Sequence, residues 1–191
     1  MESNYIEDKK FEKLNFNEKP LLLGTYENCV FNNCDLSNAD LSHFSFSECV
    51  FSGCNISMAK LAKTSFNDIV FKGCKLLGLH FEDCHTTPFI VSFEHCILNF
   101  SSFYKQKLKK TVFRNSSIQE ADFTDADLHS SVFDQCDLTK TKFENTILEK
   151  ADLRTAFNYS INPELNKIKK AKFSIPGIIG LLDQYDIEIE P

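Results

Sequence analysis

Residues 121–140 read ADFTD ADLHS SVFDQ CDLTK, four consecutive blocks of five that each carry a large apolar residue in the third position. These residues are Phe123, Leu128, Phe133 and Leu138. A period of five matches neither an α-helix, which repeats every 3.6 residues, nor a flat strand, which alternates every two. The chain must therefore turn once in every block.

The same spacing extends through most of the 191 residues. One frame runs from Tyr26 to Phe81 and a second from Phe93 to Leu153, and every fifth position in both is large and apolar. The position two residues earlier is usually Cys, Ala, Ser or Thr. Side chains two apart in an extended segment point to the same side, so each block is predicted to bury one large and one small side chain. The other three positions are predicted to face water.

The cysteines follow this pattern. All eight fall in the small-residue position, if Cys84 is included as the member that precedes the change of frame. The start MESNYIEDKK is charged, and the chain has no apolar run long enough to span a membrane. We therefore expect a cytoplasmic protein, without a membrane partner, whose cysteines are compact core residues and not disulfides.

Several blocks resemble a known repeat. ADLSH at 39–43, CDLTK at 136–140 and ADLRT at 151–155 are similar to the A-(D/N)-L-x-x unit of pentapeptide-repeat proteins, which include the quinolone-resistance (Qnr-like) members. The resemblance covers residues 24–158. It implies an all-β fold, a right-handed quadrilateral β-helix with four blocks per coil and about six coils stacked at the strand spacing of about 4.8 Å.

The four-sided geometry leads to a further prediction about the side chains in the lumen. Phenylalanine and leucine or isoleucine alternate strictly from Phe93 to Leu148. Residues 20 apart would then stack, so Phe93, Phe113 and Phe133 should line one wall. Phenylalanines 103, 123 and 143 should line the opposite wall, where facing aromatic ladders can fill the lumen at uniform volume.

The frame breaks divide the chain. Residues 1–23 are predicted to form an N-terminal cap or imperfect coil, and residues 24–158 the β-helix. Twelve residues separate Phe81 from Phe93 and include Pro88, so a bulge or short loop is expected at 84–90. Gln106 replaces the small residue of its block, which predicts a wall that is locally distorted or functionally exposed.

Residues 159–191 are predicted to contain a turn, one more extended segment at 167–173, a short C-terminal helix and a strand at 186–190. Ser174 would cap the helix and Pro176 would lie in its first turn. Such a helix could simply cap the last coil. We expect it also to join a second copy, because it leaves surplus apolar residues for a symmetric homodimer interface: Ile178, Ile179, Leu181, Leu182, Tyr185, Ile187 and Ile189.

Catalytic chemistry is not indicated. The chain contains no nucleophile motif, no glycine-rich phosphate loop and no HExxH. His80, Cys84, His85 and His95 surround the frame break, but their spacing matches no standard zinc pattern, so surface histidines are favoured over a metal site. No enzyme activity, metal or cofactor is expected.

Charge is distributed in zones along a chain whose net charge is −6. Residues 20–59 hold four acids and no base, residues 60–119 nine bases and four acids, and residues 120–152 nine acids and three bases. Direct nucleic-acid binding is disfavoured, because phosphates are bound by lysine and arginine. The last zone could be a solvated face or a partner-binding site, whose candidate residues are Glu120, Asp122, Asp125, Asp127, Asp134, Asp137 and Glu144.

The resemblance suggests a partner for these acids. The resemblance to the quinolone-resistance members implies a rod as wide as a DNA duplex. Its acidic surface would imitate DNA and bind the type II topoisomerases DNA gyrase and topoisomerase IV. A basic belt at residues 105–114 interrupts that imitation, and the frame break adds only about two residues where such members often carry longer loops. These two departures weigh against drug protection. The alternative is a protein–protein interaction scaffold with an unrelated partner.

Overall fold

The computed structural model describes residues 4–185 and 187–190. Every paired strand is parallel to its neighbour. Short 3₁₀ helices cover Phe81–Asp83, Pro176–Leu181 and Asp183–Tyr185. The strands are β1 Asn4–Glu7, β2 Lys10–Glu12, β3 Gly24–Glu27, β4 Val30–Asn32, β5 Ser45–Ser47, β6 Val50–Ser52, β7 Ser65–Lys72, β8 Phe89–Glu94, β9 Val112–Arg114 and β10 Val132–Asp134.

The strands stack as a four-sided coil. Phe31 pairs with Phe51, and Phe51 pairs with Phe71, so a face recurs after 20 residues. Isolated parallel bridges continue the pairing on the faces that have no long strands. The result is a parallel β-solenoid of about seven turns, which confirms the predicted quadrilateral β-helix. It has more coils than the predicted six because β1 and β2, which precede residue 24, already pair with β3 and β4.

The large residue at the centre of each block points into the lumen and is almost completely buried. Each face is named here by its column of central residues. They are, for the first face, Phe31, Phe51, Phe71, Phe93, Phe113 and Phe133; for the second, Leu36, Ile56, Leu76, Leu98, Ile118 and Leu138; for the third, Leu41, Leu61, Phe81, Phe103, Phe123 and Phe143; and for the fourth, Tyr26, Phe46, Phe66, Phe89, Leu108, Leu128 and Leu148.

The two phenylalanine ladders of the second half form as predicted. The Phe113 and Phe133 rings stack at 4.8 Å on the first face, and the Phe103 and Phe123 rings stack at 4.9 Å on the third face. The two columns meet edge to face, with Phe113 and Phe123 6.0 Å apart at 86°. Both geometries are favourable for aromatic quadrupoles and add about 0.5–1.5 kcal/mol per pair beyond the burial of area.

In the first half the aromatic columns lie on different faces. Tyr26 and Phe46 stack at 5.4 Å on the fourth face, beside the first-face column. Aromatic residues move from the fourth to the third face at the frame break, where Phe81 contacts Phe89 edge to face at 6.0 Å. Two aromatic columns are therefore present in both halves, although they occupy adjacent walls before the break and opposite walls after it.

The corners depend on left-handed backbone. The second residue after each central residue usually has a positive φ, as in Asn38 at 58°. At many corners the next residue donates its N–H back to the central carbonyl, as Ala39 does to Leu36 at 3.1 Å. This is a turn that requires a positive φ at its third residue, which Asn and Asp tolerate better than most residues.

Several of the small residues also donate hydrogen bonds to the backbone. Thr64 Oγ1 donates to the carbonyl of Leu41 at 2.7 Å, and Ser131 Oγ donates to Leu108 at 2.6 Å, in each case 23 residues back. Both carbonyls also accept the turn N–H described above, at 3.2 Å and 3.1 Å. The side-chain donor thus uses the second lone pair of a buried carbonyl. The position requires a small side chain, and serine, threonine and cysteine add a hydrogen bond to that small size.

Cysteine serves the same purpose. Cys54 Sγ lies 3.2 Å from the carbonyl oxygen of Phe31, again 23 residues back. All eight cysteines are free and buried, in agreement with their interpretation as core residues. Burial raises the pKa of Cys49 and of Cys136 to about 12, so these thiols stay protonated near neutral pH.

The irregular segment at the frame break is shorter than predicted. Phe81–Asp83 forms a 3₁₀ helix, residues 84–88 are bent or irregular, and the Thr87–Pro88 peptide bond is cis. The loop was expected to reach residue 90, but β8 already begins at Phe89 because that residue pairs with Phe66 in β7. Beyond the break, Phe71 pairs with Phe93, so one coil holds two extra residues.

Gln106 supplies hydrogen bonds to the irregular backbone beside this break. Its side chain is fully buried, which rules out the functionally exposed alternative. Nε2 donates to the carbonyl of Phe81 at 2.6 Å, and Oε1 accepts the backbone N–H of Lys107 at 3.3 Å. In later coils the N–H equivalent to that of Lys107 donates to backbone, as Asp127 N does to the Gln106 carbonyl at 2.9 Å. A longer side chain therefore replaces a missing backbone partner.

The C-terminal segment departs from its predicted form. Lys167 and Lys172 continue the ladder by bridging to Ile147 and Asp152, as expected for one more extended segment. The helix that follows is 3₁₀, and Ser174 Oγ accepts the N–H of Gly177 at 3.2 Å. The predicted strand at 186–190 is wrong, since residues 187–190 lie in no strand; Asp186 is outside the described residues. Alternating apolar residues do not make a strand without a neighbouring strand edge to pair with.

Phe133→Ala should lower the free energy of unfolding by about 3–5 kcal/mol, because the fully buried ring contacts both aromatic columns and leaves a cavity that the rigid coil cannot close. Chemical denaturation of both proteins measures the difference. A loss below about 1 kcal/mol would contradict the ladder as a source of stability.

Gln106→Leu should lower the free energy of unfolding by about 1–3 kcal/mol, because it keeps most of the volume but removes the hydrogen bonds to the buried Phe81 carbonyl and to the Lys107 N–H. The matched control is Gln184→Leu, at an exposed glutamine, which should change the stability by less than about 0.5 kcal/mol. Equal effects of the two substitutions would show that the hydrogen bonds of Gln106 do not stabilise the fold.

Candidate protein-interaction surface

The acidic residues of the last charge zone lie outside the lumen, and some of them support the corners. Aspartates directly before a central residue accept the N–H two positions later: Asp122 from Thr124 at 2.8 Å and Asp127 from His129 at 3.1 Å. This local bond stabilises the turn. Asn55 makes the same bond to Ser57 at 3.3 Å, so an amide can replace the carboxylate in this role.

Three of the seven candidate acids lie on separate faces and have partners within the chain. Asp127, on the fourth face, lies 3.2 Å from Lys109 Nζ. Asp134, on the first face, lies 3.2 Å from Arg114 Nε. Such exposed ion pairs contribute only about 0–1 kcal/mol each, but they neutralise charge that a partner would otherwise meet.

Asp137, on the second face, is the most strongly engaged of the three. Burial alone would raise its pKa, but hydrogen bonds from Thr139, Gln119 and Asn158 outweigh that effect and lower the pKa. Gln119 Nε2 donates to it at 2.6 Å and Asn158 Nδ2 at 3.0 Å. This carboxylate is therefore part of a surface network that holds neighbouring coils together.

The other four acids gather around the third face. Glu120 lies at the corner between the second and third faces, Asp122 on the third face and Asp125 at the corner with the fourth. These three, here called the acidic row, belong to a single coil. Glu144 lies one coil further along, 3.3 Å from Lys142 Nζ. In the described part of the chain the acidic row has no ion pair within 4.0 Å.

The basic belt wraps around the coil that precedes the acidic row. Lys105 lies at a corner and places Nζ 4.6 Å from the centre of the Tyr104 ring. Lys107 and Lys109 are on the fourth face, and Arg114 is on the first face. The belt and the acidic zone are therefore successive bands around the solenoid, not opposite sides of it.

The C-terminal segment both packs on the last coil and exposes apolar residues. Leu181 packs against the core, and a Cβ on Gly180 would lie 2.1 Å from the carbonyl oxygen of Tyr159, so only glycine permits this approach. Among the predicted interface residues, Leu181 and Leu182 are half-buried. The other predicted interface residues are exposed: Ile178, Ile179, Tyr185, Ile187 and Ile189.

The histidines near the frame break remain on the surface or at the corners, and His80 Nδ1 lies 2.9 Å from Glu82 Oε1. Within residues 4–185 and 187–190, no three His, Cys, Asp or Glu side chains are grouped closely enough to hold a metal. No helix in the same residues has the length and apolar character to cross a membrane.

Sequence reasoning missed one surface feature. Met58 and Phe100 are exposed apolar residues at the corner between the second and third faces. The signal was present, because both occupy the last position of a block, where almost every other block has a polar residue or glycine.

The chain is a four-sided parallel β-solenoid with a core of inward side chains and an outer surface of mixed charge. A profile described as a pentapeptide repeat region matches residues 25–90 and 89–157. These matches cover well over half of the chain, and the protein belongs to the pentapeptide-repeat family. No functionally curated protein matches the sequence significantly.

Solved structures of the same fold include proteins with different roles. A trypsin-treated variant of QnrB1, a plasmid-mediated fluoroquinolone resistance protein, superimposes with a TM-score of 0.64 at 18% identity and covers 98% of this chain and 100% of that one. HetL is a protein involved in heterocyst differentiation regulation from the cyanobacterium Nostoc sp. strain PCC 7120. It superimposes with a TM-score of 0.71 at 14% identity, and the match covers 88% of this chain and 85% of HetL. At these identities the likeness extends to the fold alone.

Proposed function

We propose that this protein is a non-enzymatic interaction module that binds another protein through its outer surface. Membership of the pentapeptide-repeat family supports this role. The architecture supports it as well, because the inward side chains pack into one continuous core and the long outer faces are left for recognition. The closely stacked coils also hold surface side chains at fixed spacing, which suits a rigid recognition surface.

The partner we propose is a type II topoisomerase, DNA gyrase or topoisomerase IV, bound by imitation of a DNA duplex, with a consequent effect on quinolone sensitivity. The observation that carries this proposal is the acidic row, three carboxylates of one coil free of ion pairs among the described residues. A groove built for phosphates would attract such a row. The full-length similarity in fold to QnrB1 agrees with it.

A second proposal is an interaction scaffold in the cytoplasm with an unrelated partner. The pairing of Asp127 with Lys109 and of Asp134 with Arg114 favours it, because these contacts reduce the continuous negative potential that a duplex mimic needs. The basic belt beside the acidic row has the same effect. HetL shows that this fold also occurs in a regulatory protein of a different kind.

We further propose that two copies associate through the C-terminal segment. Ile179, Ile187 and Ile189 are each about half exposed, although the segment is already anchored by Leu181 and Gly180. Apolar surface that the anchoring does not use is suited to a two-fold interface with an identical surface.

Purified protein should inhibit DNA supercoiling by gyrase, and the triple variant Glu120→Gln, Asp122→Asn, Asp125→Asn should raise the inhibitory concentration about tenfold by removing three charges. The fold should survive, because asparagine can accept the turn N–H as Asn55 does. The matched control is Glu27→Gln, Asp35→Asn, Asp40→Asn, the same charge change in the first coils.

Equal effects of these two triple variants would reject the acidic row as the binding site. Absence of inhibition and of quinolone protection by the unaltered protein at high micromolar concentration would remove the topoisomerase proposal and favour the scaffold.

The protein should be a dimer by light scattering, and Ile179→Asp with Ile187→Asp should convert it to a monomer of unchanged secondary structure, because both side chains are exposed in one copy. Ile90→Asp, an exposed isoleucine on β8, is the control that should leave the dimer intact. A monomeric unaltered protein would refute the proposed interface.

A further inference from the structure

Side chains in the small-residue position lean towards the N-terminal end of the solenoid. The donors in this position reach a carbonyl 23 residues back, as Thr64 does to Leu41 at 2.7 Å and Ser131 does to Leu108 at 2.6 Å. Each of these carbonyls belongs to the preceding coil. The side chains must therefore be small, because the preceding coil occupies the space next to them.

The first coil is free of this restriction. In the described chain β1 and β2 are the outermost strands of the sheet, and each pairs with a strand of the following coil only. The equivalent positions of this coil hold Lys9, Leu14 and Lys19, in place of cysteine or alanine in the next coil. All three side chains are exposed. They project from the N-terminal end of the lumen.

These side chains surround a cavity of about 680 Å³. Its volume is within the range of about 300–1,000 Å³ that is usual for small-molecule sites, which are likewise lined mainly by apolar groups. Phe11 forms part of its floor and stacks on Phe31 of the next coil at 4.7 Å. The cavity is therefore a continuation of the core, lined largely by apolar residues that include Ile6, Phe11, Leu14, Phe16, Leu21 and Leu22.

The charged groups that line the cavity are mostly lysines. They are Lys9, Lys13 and Lys19, and Glu18 is the single acid among the described lining residues. None of the three lysines has an ion pair within 4.0 Å in the described part of the chain. Glu18 Oε1 accepts a hydrogen bond from Asn15 Nδ2 at 2.9 Å, so this carboxylate is already engaged.

The remaining described acids of the first coil lie on its outer surface. Glu7 and Glu12 directly follow central residues and are exposed on the faces. Asp8, at a corner, accepts a hydrogen bond from Asn28 Nδ2 in the next coil. The first coil as a whole is not basic, but the charge that borders the cavity is mainly positive.

We propose that the N-terminal cavity binds a long-chain carboxylate, with the hydrocarbon chain on the apolar floor and the carboxylate beside Lys9 and Lys19. Burial of the chain supplies affinity, and the lysines select an anion over a neutral or cationic amphiphile. A second copy of this chain is disfavoured as the occupant, because a two-fold axis at this end would bring the lysines of both copies together. The site lies at the opposite end from the C-terminal segment and does not depend on a topoisomerase partner.

Isothermal titration calorimetry of the full-length protein with sodium decanoate, below its micelle concentration, tests the proposal. One decanoate should bind per chain, at least tenfold more tightly than decanol or decyltrimethylammonium. Lys9→Gln with Lys19→Gln should raise the dissociation constant of decanoate about tenfold. The melting temperature of the unliganded variant should not change, because both side chains are exposed.

The matched control is Lys60→Gln with Lys75→Gln, the same charge change at exposed outward positions of later coils, which should leave the affinity unchanged. Leu14→Glu, which places a carboxylate at the cavity, should abolish measurable binding of decanoate.

The proposal is overturned if decanoate does not bind saturably, if decanol or decyltrimethylammonium binds as tightly, or if the two lysine variants behave alike. A dimer that dissociates on Leu14→Glu would assign this end to a second copy instead. Sedimentation with phosphatidylserine vesicles that requires Lys9 and Lys19, without binding of monomeric decanoate, would assign it to a membrane surface.

Discussion

The lumen of the solenoid must be filled by one large and one small side chain from every block of five residues. Because the coils stack directly on one another, a side chain that is too small leaves a cavity that the coils cannot close, and one that is too large strains the packing around it. The carbonyl of a central residue adds a second demand, since its remaining lone pair is buried and needs a donor. Thr64, Ser131 and Cys54 meet both demands, whereas the alanines in the same position meet only the demand for small size.

The frame break follows from the same constraint. Each half of the chain places two aromatic columns in the lumen, on adjacent walls before the break and on opposite walls after it. Phe89 ends the column on the fourth face and contacts Phe81, which begins the one on the third. The two extra residues and the loop at 84–88 accommodate this change of walls. Beside the loop, Gln106 then supplies hydrogen bonds to the Phe81 carbonyl and to the Lys107 N–H.

Much of the fold could be predicted from the sequence, because a strict period determines which side chains point inward. The facing columns of Phe113 and Phe123 follow from the alternation of phenylalanine with aliphatic residues. The strand at 186–190 could not be decided in this way, because its pattern depends on a neighbour that the sequence does not reveal. The close approach of Gly180 to Tyr159 beside the C-terminal helix likewise depends on a tertiary contact that the sequence does not reveal.

The candidate site could be predicted less well than the fold. The order of charges along the chain does not show directly which charges face one another in neighbouring coils. Residues 20 apart stack, so the contact between Arg114 and Asp134 was implicit in the spacing once the faces were assigned. The same reasoning would have placed Asp137 away from Asp122. The exposed corner at Phe100 lies outside the inward positions that a period of five identifies. Function in this fold therefore depends on which outward positions share a face.

The stacking of coils through the frame break is tested most directly by the distance between spin labels at Ser37 and Thr139. Both residues follow a central residue on the second face, and residues 57, 77, 99 and 119 lie between them in the stack. The eight native thiols are buried and should not compete for the label. Pulsed electron–electron resonance should give one narrow distribution near 24 Å, which is about five strand spacings. A broad distribution, or one centred at about twice that length, would contradict a continuous four-sided solenoid.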